Sequence, residues 1–503
     1  MSNPHYDLTR ARRSLAHFGV GRVLSALTGF LWLMLAVRVM TPTDYGAYVA
    51  VIAVLEIFYL VSGFGTSTIA QRYVAEYRMK ASGGRLARFV WGLIAGRVVV
   101  AVVGGALIHA LGPAASEAAG LTRATQWWSL VIPLALAGCV VRYLDEIFGA
   151  LLLQSHAQGS TVARNLMRLV PLGLAHVMGG QVDVAEMLRI EIVASAMAAL
   201  LGMILLGVYL RREAEGDPHY CVPGMWSVAL RFYIVQALGQ FYGSNAIKLV
   251  AARTLGLEAT ALLGFAQSLI DMLRNYLPAH LLAGWIRPLL VSRYVGAGDV
   301  RQLSMLSGLV LKINLLGIVP IAIFFVVAGD VFGALLSAQR YTQAGPTFAL
   351  LSALLGLQTA HLMLSMVTIT VEKPNASLVA TALACIGMPV SWLLGGVAGV
   401  AGVVGGLIVA ETIWIVTVFV SLRLQGIRLE FGIGGMRPLV PLTVFVLLLA
   451  TGLRLAGVGG LAAFAGGACA AVCFVLAAVF VKPLSEEERA VVGKFVPRRL
   501  LLI

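Results

Sequence analysis

Asp271 and Arg274 stand one helical turn apart in the apolar stretch 260–282, and Gln267, Asn275 and Pro278 extend them into a continuous polar stripe. Related patterns recur along the chain. Arg142, Asp145 and Glu146 fall at i, i+3 and i+4 within 127–153, a spacing that also permits a self-neutralising ion pair. Arg164 and Arg168 share a face of 160–178 with no acid close by in sequence. On a continuous helix over 228–254, Arg231, Tyr242 and Asn245 fall within one arc, with Lys248 beside Asn245. Gln358, His361, Ser365 and Thr368 do the same over 346–371, with Glu372 just beyond its end. Glu56, Arg97, Lys312 and Glu411 complete the charged set inside apolar runs.

The chemistry such residues offer is binding. Arg142, Arg168, Arg231, Asn245, Lys248, Asp271, Arg274, Lys312 and His361 are the candidate substrate-binding residues, and Glu56, Asp271 and His361 are candidates for ion coupling. At bilayer depth a charge costs about 2.5–3.5 kcal/mol on insertion scales, so each should face a cavity, a partner or the interface. Basic groups outnumber the acids counted here, which are Glu56, Asp145, Glu146, Asp271 and Glu411. A water-filled cavity lined in this way attracts an anion, and the planar fork of arginine suits phosphate. Pairing, snorkelling or hydrogen bonding between packed helices is the competing reading for any single member. The excess as a set is the stronger signal.

No catalytic residue, metal site or cofactor is expected. The five cysteines have neither metal-ligand spacing nor a paired extracellular framework. Cys469 and Cys473 share a helix face and read as small apolar packing. The glycine run 395–406 lacks a following Lys-Ser/Thr and reads as a tight turn with close packing, not a phosphate loop.

The elements that carry these residues follow from composition. Of 503 residues, 59% are hydrophobic and 12% charged, against about 25% charged in soluble domains. The mean hydropathy is +0.91. Apolar runs long enough to span a bilayer recur almost end to end, which makes the bilayer the solvent. The net charge of +14 is spread between the runs instead of forming a basic patch interleaved with aromatics, so nucleic acid is not an expected partner.

The predicted spans are 16–40, 47–69, 89–111, 127–153, 160–178 and 187–210, then 228–254, 260–282, 303–328, 346–371, 377–394 and 402–422, and last 439–455 and 460–481. The expectation is an all-α polytopic membrane protein of about 14 helices. Two parallel six-helix bundles would surround a central cavity, with two extra C-terminal helices. The corresponding domains are a lobe at 1–210, a cytoplasmic linker at 211–227, a second lobe at 228–424, the added pair at 425–482 and a cytoplasmic tail at 483–503. Pro133, Pro171, Pro278, Pro320 and Pro389 interrupt spans and mark candidate kinks.

Lys and Arg collect on alternate loops. Arg10, Arg12 and Arg13, then Arg72, Arg78, Lys80, Arg85 and Arg88, Arg211 and Arg212, Arg287, Arg293 and Arg301, Lys373, Arg423, Arg428 and Arg437, and the basic tail fall on one side, with Arg123, Arg340 and Arg454 on the other. By the positive-inside rule both termini are cytoplasmic, and the first helix serves as its own insertion signal. In the tail, Ser485 and Glu488 form a capping-box pattern that predicts a short amphipathic helix, whose deletion is expected to leave transport largely intact.

Arg38 through Gly46 with Tyr48, then Gly63-Phe64-Gly65 and Ala70-Gln71-Arg72-Tyr73, resemble the first-hairpin pattern of the Wzx-type polysaccharide repeat-unit flippases. These belong to the multidrug/oligosaccharidyl-lipid/polysaccharide exporter superfamily. Leu255-Gly256 to Gly264-Phe265 is similar in the second half. The resemblance implies transfer of an undecaprenyl-pyrophosphate-linked oligosaccharide between leaflets of a bacterial inner membrane. It implies membrane lipids and other polysaccharide-assembly proteins as partners, with Arg142 and Arg274 the best matches to lumenal basic positions. With the cytoplasm negative, outward movement of an anion is favourable by about 2.3 kcal/mol per charge per 100 mV. A lipid II-type flippase remains open. A drug/cation antiporter of the same superfamily would need an acidic cavity. A membrane glycosyltransferase, polymerase or ligase would be expected to carry a large outer loop or an acidic metal-binding loop.

Overall fold

A computed structural model describes residues 8–118, 126–151, 153–211, 216–281, 300–371, 373–455 and 459–493. Arg123, Arg212, Arg287, Arg293 and Glu372, named above, lie outside these residues, as does the tail from 494 onward. The described chain is helical and divides into two compact units. One comprises Met1–Gln240 with Gly256–Ala261, and the other Phe241–Leu255 with Leu262–Ile503.

In the first unit, α1 (Leu8–Val39) leads into α2 (Pro42–Val61). Thr41 caps α2 by accepting from the Asp44 amide at 3.1 Å, and Pro42 takes a position where no amide hydrogen is needed. The expected span 47–69 is broken after Val61 by Gly63-Phe64-Gly65, where Phe64 (φ 41°) and Gly65 (φ 81°) turn left-handed. The chain resumes as α3 (Thr66–Ile69), a π-helical turn at Ala70–Val74 and α4 (Ala75–Lys80). Then come α5 (Gly83–Ala118), α6 (Trp128–Ala150), α7 (Gln154–Val177), α8 (Val184–Leu210) and α9 (Met225–Gly239). A capping box opens α8: Asp183 accepts from the Glu186 amide at 2.7 Å and Glu186 from the Asp183 amide at 3.2 Å. α1 packs on α7, α6 on α5 and α8, and α7 on α8. Tyr77, Tyr143, Phe148 and Leu206 fill one core of this unit.

The second unit holds α10 (Ser244–Thr254), α11 (Leu257–Arg274), α12 (Pro278–Leu281), α13 (Val300–Leu336), α14 (Gly345–Thr370), α15 (Pro374–Ala384), α16 (Gly387–Leu424), α17 (Leu439–Leu455), α18 (Gly460–Val481) and α19 (Glu486–Val492). The first residues of α11 cluster with the first unit. α13 packs on α14 and α18, and α16 receives α10, α14 and α15. The glycine run in α16 is the expected tight turn. Ala398 and Gly399 (φ 59°) leave helical geometry there. The two arms close so tightly that a Cβ on Gly402 or Gly406 would strike the backbone of Leu394 or Ser391.

Each predicted span coincides with a helix or a broken helix. Among the described residues, eight stretches are long and apolar enough to cross a membrane, the longest being the 51-residue pair of helices Pro374–Leu424. The other predicted spans are shorter, broken or more heavily charged helices: α6, α7, α9 with α10, α11 with α12, and α17. The chain is a multi-pass, all-helical membrane protein. One expectation needs correction. The run 228–254 is not one helix, because it breaks at Gln240–Gly243 between two glycines. Arg231 therefore does not share an arc with Tyr242 and Asn245, and it lies exposed on α9 in the first unit.

Candidate functional site

Charged side chains within the helices are mostly matched to partners. In the first unit, Arg168 of α7 pairs with Glu191 of α8, which also accepts from the Tyr48 hydroxyl of α2 at 2.9 Å. Arg164, one turn earlier, lies 3.6 Å from the same carboxylate. The Arg168 guanidinium sits over the Trp32 ring at 5.1 Å. Glu191 is only 1% exposed, and a carboxylate so buried is tolerable when paired and hydrogen-bonded. Glu191 is absent from the candidates that the sequence offers. It is an acid well inside an apolar helix, and that alone was the signal that could have found it.

Nearer the surface of this unit, Arg142 of α6 pairs with Glu56 of α2 and lies over the Tyr59 ring at 5.2 Å. Its side chain remains 45% exposed, so part of the guanidinium is free to meet something else. The intrahelical pairing of Arg142 with Asp145 or Glu146 is not the ion pair seen. Glu146 lies 4.0 Å from Arg97 of α5. Asp145 holds a buried oxygen with no hydrogen-bond partner among the described residues, under the electrostatic influence of Arg164 and Arg142. Four arginines (Arg97, Arg142, Arg164, Arg168) thus face four carboxylates (Glu56, Asp145, Glu146, Glu191). The basic excess expected from the sequence is not present in this set, because Glu191 restores the balance.

In the second unit, Arg274 and Asp271 pair at 3.2 Å along α11, each about a third exposed (32% and 37%). Gln267, one turn before them, is buried with its side-chain oxygen unpartnered among the described residues. Lys248 donates to Asn245 at 3.4 Å on α10. His361 of α14 meets Glu411 of α16 at 2.7 Å and stacks face to face on Trp414, ring centroids 3.5 Å apart. Trp414 is itself fixed by donating to Thr381 of α15 at 3.1 Å. Lys312 of α13 is 3% exposed and is held by Glu488 of α19 at 2.8 Å. Apart from Arg231, exposed on α9, the predicted candidates therefore fall into separate clusters within their units, and each cluster has its own counter-charge or hydrogen-bond partner. Among the described residues no group of three or more His, Cys, Asp or Glu side chains could hold a metal ion.

Residues 12–286 match the polysaccharide biosynthesis protein family. The chain belongs to that family. No curated protein sequence matches it. Its fold is similar to a solved lipid II flippase, MurJ in an inward closed conformation, with a TM-score of 0.63, 11% identity, and coverage of 92% of this chain and 98% of that one. It is also similar to an inward-facing MATE-family multidrug transporter of the MOP superfamily (TM-score 0.58, 15% identity, 82% and 98% covered). The eukaryotic MATE transporter AtDTX14 is a third relative in fold (TM-score 0.53, 16% identity, 83% and 96% covered). This member of the polysaccharide biosynthesis family accordingly has a flippase and transporter fold.

Proposed function

We propose that the protein moves an undecaprenyl-pyrophosphate-linked oligosaccharide from the cytoplasmic to the periplasmic leaflet of a bacterial inner membrane, with both termini cytoplasmic and no covalent chemistry of its own. The observation that carries this reading, beside the family match, is the state of Arg142. It is an arginine on a membrane helix, nearly half exposed, whose partner is a carboxylate that a phosphate oxygen can replace. Glu56 holds the guanidinium in place while the site waits, so binding a phosphate exchanges one charge-assisted contact for another. Arg274 with Asp271 offers the same exchange in the second unit. Arg164 and Arg168 are held by a carboxylate too buried to be displaced, and they serve structure first.

The membrane potential supplies the direction, at about 2.3 kcal/mol per charge per 100 mV for outward anion movement. His361 with Glu411 is the candidate for proton coupling, since such pairs within membranes mark proton relays. The likeness in fold to MurJ favours lipid II as the second reading, because the anchor chemistry is the same class. The test is surface-polysaccharide export in a strain lacking the protein, with membrane levels measured alongside. Arg142→Ala should reduce export severely and Arg142→Lys should recover part of it. Full export by a normally accumulated Arg142→Ala protein would overturn the reading. Restoration of a lipid II flippase deficiency, without polysaccharide export, would select the second.

A further inference from the structure

The break in α2 is enclosed by polar groups that would suit a small cation. When the helix stops at Val61, the Gly63 amide turns back to the Leu60 carbonyl at 3.1 Å, so the Tyr59 carbonyl loses its ordinary partner four residues on. That carbonyl accepts instead from Arg97 of α5, at 2.8 Å, and more weakly from the Ser62 hydroxyl, at 3.4 Å. The other Nη of Arg97 donates to the Thr66 hydroxyl at 3.1 Å and to the Ser67 hydroxyl at 3.0 Å, both at the start of α3. Glu146 of α6 adds its carboxylate at 4.0 Å, and the Tyr143 ring faces the guanidinium at 5.0 Å. One carbonyl, two hydroxyls, one carboxylate and an aromatic face converge on one positive charge.

The surroundings leave little else for this space to be. Arg97 is 3% exposed in the middle of a membrane helix, far too buried to reach an interface. Gly63 supplies the room, since a Cβ there would lie 3.1 Å from Nη1. The groups come from α2, α3 and α6, and the charge alone comes from α5. Breaking a membrane helix is tolerated only where something satisfies the freed backbone. Here the arginine, with the Ser62 hydroxyl, meets that need at the end of α2 and simultaneously ties down the hydroxyls at the start of α3.

We propose that the break in α2 is a monovalent-cation site whose occupant is supplied by the chain itself: the Arg97 guanidinium fills a pocket which, if emptied, binds a free guanidinium-type cation. This goes beyond the transport reading and does not depend on it. The consequence is that the two segments of the broken helix stay stitched whatever the salt outside, because the ion cannot leave. Substrate-facing arginines such as Arg142 are held by a displaceable partner, whereas Arg97 is held by several groups at once.

The experiment empties the pocket. Purified Arg97→Ala protein in detergent is melted in low-millimolar guanidinium or methylguanidinium, well below denaturing levels, and in sodium, potassium or choline at equal ionic strength. The variant should gain thermal stability in guanidinium-type cations over choline, while the wild type shows no difference. Equal melting of the variant in all salts would overturn the proposal. If Arg97→Ala does not accumulate, Arg97→Lys is compared with Arg97→Met, which have similar length and differ in charge. The proposal requires the lysine variant to accumulate about tenfold or more above the methionine variant, the loss expected when buried acceptors lose a charged donor. Equal accumulation would show that the pocket does not need a cation and would overturn it.

Discussion

Lys312 donates to both carboxylate oxygens of Glu488 at 2.8 Å, joining the interior of α13 to a seven-residue helix 176 residues later in the chain. Ser485 prepares the contact. Its hydroxyl accepts from the Glu488 amide at 3.2 Å while its own amide donates to the Glu488 carboxylate at 2.8 Å. The capping box thus aims the same carboxylate that Lys312 needs. The segment around it is closely packed, for Gly308 and Gly435 have no room for a Cβ against Phe431 and Pro483.

Removing one partner of this buried pair should cost about 3–5 kcal/mol, because the remaining group is left buried and unpaired. Glu488→Gln or Lys312→Met should lower the melting temperature in detergent, and Lys312→Met with Glu488→Leu together should recover most of it. Deletion from Ser485 onward, expected from sequence to leave transport largely intact, should reduce membrane accumulation, since it strands Lys312. Adding Lys312→Met to the deletion should restore the protein. A deletion mutant as stable as the wild type would show that Lys312 finds another partner.

Arg274 and Asp271 allow a sharper separation of structure from binding. If the pair is only structural, Asp271→Ala and Arg274→Ala each lower protein levels and the double mutant recovers. If Arg274 also engages a phosphate, Arg274→Ala loses roughly ten- to a hundredfold in substrate engagement, corresponding to about 1.5–3 kcal/mol for a charge-assisted contact, and Asp271→Ala does not repair it. Arg274→Lys should restore only part, since an ammonium returns the charge without the fork. The readout is export normalised to membrane level.

For the Glu191 cluster the expected ranking is steep. Tyr48→Phe removes one hydrogen bond to a charged group and should cost about 1.5–3 kcal/mol. Glu191→Gln leaves two arginines facing a neutral amide and should be worse, with poor accumulation as the measurable sign. A Glu191→Gln protein as stable as Tyr48→Phe would show that Arg164 or Arg168 has an alternative counter-charge.

The segment expected to be a cytoplasmic linker is fastened to the loop between α4 and α5. The Asp217 amide donates to the Lys80 carbonyl at 3.0 Å, and Ser82 donates to Asp217 at 3.1 Å. The Tyr220 hydroxyl donates to Glu76 at 2.6 Å. Hydrogen bonds from Tyr220 and then Lys80 hold the Glu76 carboxyl below its usual range. A carboxylate with a depressed folded value stabilises the fold above its unfolded value, and that contribution disappears as pH falls through the lower, folded one. Amide exchange at Asp217 and Tyr220, taken as the ratio of Glu76→Gln to wild type at each pH, should exceed one at neutral pH and approach one in acid. A ratio of one at neutral pH would show that the backbone bonds alone hold the linker.

Span positions were legible because a bilayer demands long apolar runs, and these survive any detail of packing. Helix breaks were less so. Gly63-Phe64-Gly65 lies inside an apolar run, and only the pairing of the freed Tyr59 carbonyl with Arg97 and the Ser62 hydroxyl shows that a stop there is tolerated. Apart from Asp271 with Arg274, one turn apart on the same helix, the charged candidates were found as residues but not as pairs. Arg168 reads as an unpaired arginine until α8 brings Glu191 against it, and Lys312 reads as a cavity cation until α19 covers it. Such partners are 23 and 176 residues away in sequence, and spacing rules for one helix carry no information over that distance.

The bond between α13 and α19 also sets a timetable for biogenesis. At about 5–20 residues per second, the 176 residues separating Lys312 from Glu488 take roughly nine to thirty-five seconds to synthesise. Throughout that interval α13 must reside in the translocation machinery or the nascent bundle with a bare ammonium, so insertion of this helix is expected to lean on an attendant chaperone or on water until its late-arriving counter-ion emerges from the ribosome.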